Sequence, residues 1–471
     1  MGCDGSNATP PSPAIAPALD QTPAGGEIDP RRAAEALVER LGGGGVDPRV
    51  SEIVPGFEAP FFQAGLAGYS DAAMRIIARR QGCPYCVTEA LLDITLLGGG
   101  RGFVKADLGD LADNVPGGDE DAPLAGQLMG SEPATMAAAA VKMVEQGRRK
   151  AREYRELVES GHEGTEARRH EGEGTVSVAR YSVPACLRAS VPSPRRSFAA
   201  VDINLACPVK KIARKARGGH WLGEPEGAIR ILEAVREAVP AEIPVTVKMR
   251  RSFDETEEMR ENFYRIFDTA YDIGCAWVTV HGRTVRQKYV GPSRWDLLRE
   301  ITTRAHPGRV RERVVFGSGD IWAAGDVFRM IAYTGVQAVS VARGCIGNPW
   351  IFRQCRDLLA GHEPSGPTIA QQRAVLEQHF ELALAVNERM VRGDDEARRH
   401  RAERFTGKTM RKFGIQFSKH HPEAESVRRR FIAVSTLEDW RAVLEEFYEC
   451  NLHESSESAK PQTEDHRHDM P

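Results

Sequence analysis

Eight short apolar runs rich in β-branched residues recur along this chain, and each is followed by a segment of helical periodicity. The runs occupy 60–67, 86–89, 124–128, 200–204, 245–249, 276–281, 314–318 and 338–342; helical patterns follow at, for example, 71–80, 132–145, 224–239 and 257–272. A run that is apolar at every position suits a strand covered on both faces, the situation of a parallel sheet. Eight strand–helix units favour an α/β fold of the closed (β/α)8 type, a TIM barrel, over an open doubly wound sheet. The unusual polar residues support this. Glu89, Gln127, Asn204, Lys248, His281, Asp320 and Arg343 each end a run or open the loop after it. In a barrel, that rim carries the site.

The remaining segments frame the barrel. Residues 1–50 read as a disordered arm, rich in Pro, Ala, Gly and Ser, with one short helix capped by Asp29, begun by Pro30 and stopped by the glycines at 42–45. The barrel is assigned to 51–362, with a charged, patternless surface insertion at 148–197 that is too long for an ordinary connection. Residues 366–452 turn helical, and 453–471 form a polar tail.

Around the rim, Asn204-Leu205-Ala206-Cys207-Pro208 places a cysteine on the loop after the fourth run. Asn204 offers an amide beside it, and Lys210, Lys211, Arg214, Lys215 and Arg217 form a basic run suited to phosphates. A single cysteine is often just a small buried hydrophobe, so its neighbours carry the reading. Lys248 puts an ammonium at a strand end, where burial demands a partner that an anionic cofactor would supply; a rim carboxylate is the structural alternative. Ser318-Gly319-Asp320 after the seventh run and Ala342-Arg343-Gly344 after the eighth stand where barrels bind phosphate. His281 closes the sixth run. No residue set reads as a metal site.

In combination, Ala64 to Asp71, Val87-Thr88-Glu89, Gln127 to Ser131, Asp202 to Pro208, Val247 to Arg250, His281 to Thr284, Ser318 to Ile321 and Gly347 to Phe352 resemble the motifs of the bacterial tRNA-dihydrouridine synthases, B-type in character. The resemblance covers roughly residues 50 to 450. It implies a barrel bearing FMN, reduced by NADPH, that saturates the C5=C6 bond of particular uridines in tRNA. It further implies that Gly65, Leu66 and Ala67 face the flavin through their backbone, that Gln127 and Lys248 bond its pyrimidine edge, and that His281 lines it. Ser318, Gly319 and Asp320 with Ala342 and Arg343 would hold the ribityl phosphate. Asn204, Lys210, Lys211 and Arg283 would meet the substrate. Cys207 would protonate C5 as a general acid while hydride reaches C6 from the other face. A thiol suits that step, since thiols ordinarily titrate near 8.5. A uridine stacked in folded tRNA must be extruded to reach such a pocket.

The chain departs from the family pattern at four places. It has Ala-Gly-Leu-Ala-Gly (64–68) for Ala-Pro-Met-Ala-Gly, Ser318 for an Asn, Arg217-Gly218-Gly219-His220 for Ala-Gly-Ser-Ala, and the 148–197 insertion.

A net charge of −3 makes no global case for nucleic acid, so that case rests on local clustering. The carboxyl-terminal helices concentrate Arg398, Arg399, Arg401, Arg404, Lys408, Arg411, Lys412, Lys419 and Arg428 to Arg430, with Lys408, Arg411 and Lys412 the named tRNA contacts. Interspersed carboxylates such as Glu396 and Glu403 leave a plain solvated face as the alternative. Nine scattered cysteines without a charged-then-apolar leader predict a reducing cytoplasm. No run is long enough to span a bilayer, and no obligate protein partner is evident. The Met1-Gly2-Cys3 start meets only the loose myristoylation pattern.

Three rival readings are open to the sequence: a flavin barrel acting on a free pyrimidine, as a dihydroorotate-type dehydrogenase does; a thiol–disulfide enzyme using Cys83-Pro84-Tyr85-Cys86; and a non-catalytic RNA-binding barrel.

Overall fold

The computed structural model describes residues 27–97, 119–145, 198–208, 217–304, 313–390 and 395–449. The first 26 residues, the 148–197 insertion, Lys210, Lys211 and the 453–471 tail lie outside the described residues. All eight predicted runs become strands: β1 (Phe61–Gln63), β2 (Cys86–Val87), β3 (Leu124–Met129), β4 (Ala200–Leu205), β5 (Val245–Arg250), β6 (Val278–His281), β7 (Val315–Ser318) and β8 (Ala338–Val341). They pair in parallel in chain order, and the ring closes because β1 pairs with both β8 and β2, and β2 with β3. Helices alternate with the strands, so this is a TIM barrel.

Two ends differ from the sequence reading. β1 stops at Gln63, because the next residues coil into a turn in which the Leu66 carbonyl accepts from the Tyr69 and Ser70 N–H groups and Leu66 N–H donates to Ser70 Oγ. A hydroxyl that bonds its own backbone competes with the ladder. Leu91–Leu92 adds a two-residue strand beside Leu128 and Met129 at the upper edge, which nothing in its composition announces.

The barrel's lower end is shut. The helix Pro48–Ile53 brings Val50 and Val54 beneath a cluster of inward-facing rings, in which Phe57 stacks on Tyr85 at 4.6 Å between centroids and Trp277 meets Phe316 at 4.8 Å. Offset and edge contacts of this kind add to the burial of apolar area. The described residues just before this point are packed against the barrel. The helix Pro30–Leu41, capped by Asp29 as predicted, buries Ala34 and Leu37 in the main core, and its Arg31 guanidinium donates to the Gly361 carbonyl. Residues from 27 onward therefore belong with the barrel.

Among the described residues, four α-helices follow the barrel: Ile369–Met390, Asp395–Phe417, Ala424–Ala433 and Leu437–Tyr448. Phe380, Phe431 and Trp440 pack at their centre, with Trp440 held at 5.2 and 4.9 Å from the two phenylalanine rings. Trp350 against Phe417 and Tyr69 against Phe413 join this region to the barrel. No helix among the described residues is long and apolar enough to cross a membrane.

Candidate active site

Period-two alternation turns the polar residues of the apolar runs inward. In the register of the sheet, Gln127 of β3 lies beside Asp202 of β4, Asp202 beside Thr246 of β5, and Asn204 beside Lys248. The side chains of Thr246, Asp202, Gln127 and Asn204 form one chain of hydrogen bonds. Thr246 Oγ1 donates to Asp202 Oδ1 at 2.6 Å, Gln127 Nε2 to Asp202 Oδ2 at 2.6 Å, and Asn204 Nδ2 to Gln127 Oε1 at 2.8 Å. Burial pushes the Asp202 carboxyl up, and the Thr246 and Gln127 hydrogen bonds oppose that rise. In a low-dielectric interior such a linked set fixes its members strongly.

The network ends on the cysteine loop. Asn204 Oδ1 accepts from the Ala206 N–H at 2.9 Å and the Cys207 N–H at 3.1 Å. From the other side, Arg250 Nε donates to the Ala206 carbonyl at 2.9 Å, and its Nη1 reaches the carbonyls of Thr284 and Lys288. Arg250 thus ties the loop after β4 to the loop after β6. Beneath the cysteine, Gly218 adopts a φ of 57°, and a Cβ there would lie 2.8 Å from Cys207 Cβ. Cys207 itself is a half-buried free thiol.

Lys248 lines an interior cavity with Gly65, Gln127, Asp202 and Thr246, above the floor set by Tyr85 and Trp277. It forms no hydrogen bond among the described residues. Burial, reinforced by the Arg250 charge, lowers its pKa to about 8.

A second corner lies at the ends of β6, β7 and β8. Asp320, at φ 57°, accepts from Arg283 Nη2 at 2.8 and 2.9 Å and from the Ser293 N–H at 2.7 Å. Gly319 has a φ of 114°, and a Cβ on it would come within 2.3 Å of Ser293 Oγ, so only glycine fits. Arg343 lies 3.8 Å from Asp320, between the rings of Tyr289 and Trp322, each 4.7 Å away. Ser318 Oγ and Arg283 Nη1 are buried without a partner. His281 Nδ1 accepts from the Arg283 N–H, and burial together with Arg250, Lys248, Arg283 and Arg343 drives its pKa well below the ordinary value. The imidazole is neutral, with its proton on Nε2.

The other candidate residues have these surroundings. Arg283 is 4% exposed, and its Nε and Nη2 donate to the Gly291 carbonyl and to Asp320. The Asp320 carboxylate bonds Arg283 and lies 3.8 Å from Arg343. Leu66 uses its N–H and C=O inside its own turn. Asn204 bonds Gln127 through Nδ2 and the Ala206 and Cys207 N–H groups through Oδ1, so it also supports the cysteine loop. Arg411 donates to the Val434 carbonyl at 2.9 Å, inside the helical region. Lys412 donates to the Gly68 carbonyl and lies over the Tyr69 ring, so it docks helix to barrel. Glu89 grips the same residue through its other backbone group, accepting from the Gly68 N–H at 2.8 Å. Lys408 is exposed, as an RNA contact requires.

Arg250 has no role in the sequence reading, because its acceptors are backbone carbonyls. The thiols of Cys83 and Cys86 are 3.9 Å apart but buried beside the floor, remote from the rim, which gives the thiol–disulfide reading no accessible pair. No group of three or more metal-ligating side chains occurs among the described residues.

A family model described as dihydrouridine synthase matches residues 181–436. The chain is 32% identical over 254 residues to a probable tRNA-dihydrouridine synthase of Treponema pallidum, spanning 53% of this chain and 69% of that one. It is 32% identical over 188 residues to a probable tRNA-dihydrouridine synthase of Mycobacterium leprae, 39% of this chain and 47% of the relative. Over 181 residues it is 34% identical to tRNA-dihydrouridine synthase B of Shewanella oneidensis, 38% of this chain and 53% of the relative. Matched by the family model over more than half its length, the chain belongs to the dihydrouridine synthase family.

Proposed function

We propose that the protein is a tRNA-dihydrouridine synthase, reducing the C5=C6 bond of uridines in tRNA with FMN as its bound flavin and NADPH as electron source. The observation that carries this reading is the cysteine loop. In a chain of this family, a half-buried free thiol is braced by Asn204 and Arg250 at a barrel mouth, on the loop after the strand that pairs with the strand carrying Lys248.

The residues present fit a flavin mononucleotide. Lys248 is a cation without a hydrogen bond, in a cavity whose other side is the side-chain-free Gly65. Ser318 Oγ and Arg283 Nη1 are buried donors without partners in the corner that Arg343 completes. Lys248 and Gln127 would hold the pyrimidine edge, with Gly65 and Ala67 against the ring. Ser318, Gly319, Ala342 and Arg343 would take the phosphate, and neutral His281 would offer its Nε2–H. When bound, the flavin supplies hydride. Cys207 would hold at Sγ the proton that C5 takes up, and the braces on Ala206 and Cys207 fix where that proton is delivered. Lys210 and Lys211 follow the cysteine closely enough to meet RNA phosphates. The aromatic floor closes the lower end, so an extruded uridine would enter through the mouth.

Denaturing the purified protein tests the cofactor. The released chromophore should be FMN, and NADPH should bleach the bound form. A colourless protein that takes up no FMN would contradict the reading.

A further inference from the structure

The helix Asp395–Phe417 carries an aromatic side chain where its surroundings give no packing reason for one. Phe405 is 53% exposed. At 3.6 residues per turn, Arg401, Phe405, Lys408 and Lys412 share one face, with Arg404 at its edge. Arg401, Arg404 and Lys408 are exposed. Glu403 pairs with Arg399 at 3.5 Å, and Glu396 and Glu403 both fall about half a turn away. The intermixed charges of the sequence are therefore sorted by the helix, leaving one face cationic. Its far end is fixed, because Lys412 donates to the Gly68 carbonyl on the loop after β1. Seven residues of helix put Phe405 about 10 Å from that contact.

We infer that this face is an RNA track leading to the barrel mouth, and that Phe405 is a platform on which an unpaired tRNA base stacks. The inference rests on tRNA being the substrate. Cations flanking an exposed ring match what a single-stranded or looped nucleic acid asks of a protein, namely charge along the backbone and a flat apolar face for a base. The same face offers a neutral apolar partner little, since Arg401, Arg404 and Lys408 would have to be desolvated with it. A base held there would stand near the mouth into which its neighbour uridine must be extruded.

Binding of tRNA from a strain lacking dihydrouridine tests the idea, measured across a salt series for the full chain. Phe405→Ala should weaken binding on the order of tenfold without changing the log–log salt slope. Phe405→Leu, apolar but without a π face, should be as weak, and Phe405→Trp should restore affinity. Lys408→Ala should instead lower the slope by about 0.7–0.9. Circular dichroism and thermal melting of each variant separate binding from folding. Wild-type affinity in Phe405→Ala, or rescue by Leu, would overturn the platform. So would a wild-type dimer that Phe405→Ala dissociates, since the occupant would then be a second copy. If the wild type forms dihydrouridine and Phe405→Ala binds normally, only the platform fails. If the wild type binds no tRNA, the functional reading fails with it.

Discussion

The barrel mouth and the helix Asp395–Phe417 are both rich in arginine and lysine, yet the two sets of cations do opposite things. At the mouth, Arg250 and Arg283 are buried and spent on carbonyls and a carboxylate, and Arg343 is wedged between rings. They brace loops and set the electrostatics of His281 and Lys248. On the helix, Arg401, Arg404 and Lys408 face solvent, free to act on a polyanion at a distance. A cation's role follows from the acceptors around it, which composition does not reveal.

The largest expected effect lies at the mouth. Cys207→Ala should keep its flavin and still oxidise NADPH, while dihydrouridine formation falls by something like 10²–10⁴. Normal product formation in that variant would remove the proton-donor role.

Next comes the contrast between bracing and gripping cations. Arg250→Met leaves two buried carbonyls and a part-buried one without their donor and should destabilise the fold by about 3 kcal/mol or more. Arg404→Ala, on an exposed face, should stay within about 0.5 kcal/mol of wild type. Equal losses in thermal or denaturant melts would erase the distinction between the two regions.

A smaller effect concerns Lys248. If its ammonium holds the flavin, affinity is full below about 8, where the side chain of the flavin-free protein is protonated, and falls as pH rises through that value. Fluorescence titration of FMN into flavin-free protein should show this decline, and Lys248→Met should bind weakly with no such inflection. A flat wild-type profile would assign the flavin contact elsewhere. The smallest effect is expected at the floor: Cys83→Ser combined with Cys86→Ser should leave turnover within about twofold, because neither thiol approaches the mouth.

The fold was largely legible because parallel strands and their helices leave periodic traces. The helix Glu257–Asp272 matches its pattern end to end, and every barrel strand overlaps its apolar run. The shortening of β1 was not legible, since it depends on where the Ser70 hydroxyl turns. In the site, the rim positions of Cys207, Lys248 and His281 follow from strand ends. Their partners do not, because Gln127, Asp202 and Thr246 meet only across three strands, and Arg250 is held by backbone carbonyls that have no sequence signature. The surroundings of Arg283 are hidden for the same reason: two residues after His281 in the chain it reads as a substrate contact, and the Asp320 it bonds lies on another loop.

The central claim is that this mouth reduces uridine within tRNA. It is tested most directly by incubating the flavin-loaded protein with NADPH and tRNA lacking dihydrouridine, then digesting the tRNA and analysing its nucleosides by mass spectrometry. Dihydrouridine should appear in step with NADPH consumed and map to a defined uridine, and the Cys207→Ala protein should yield almost none. Oxidation of NADPH with a free pyrimidine as acceptor, and no dihydrouridine in tRNA, would contradict the account.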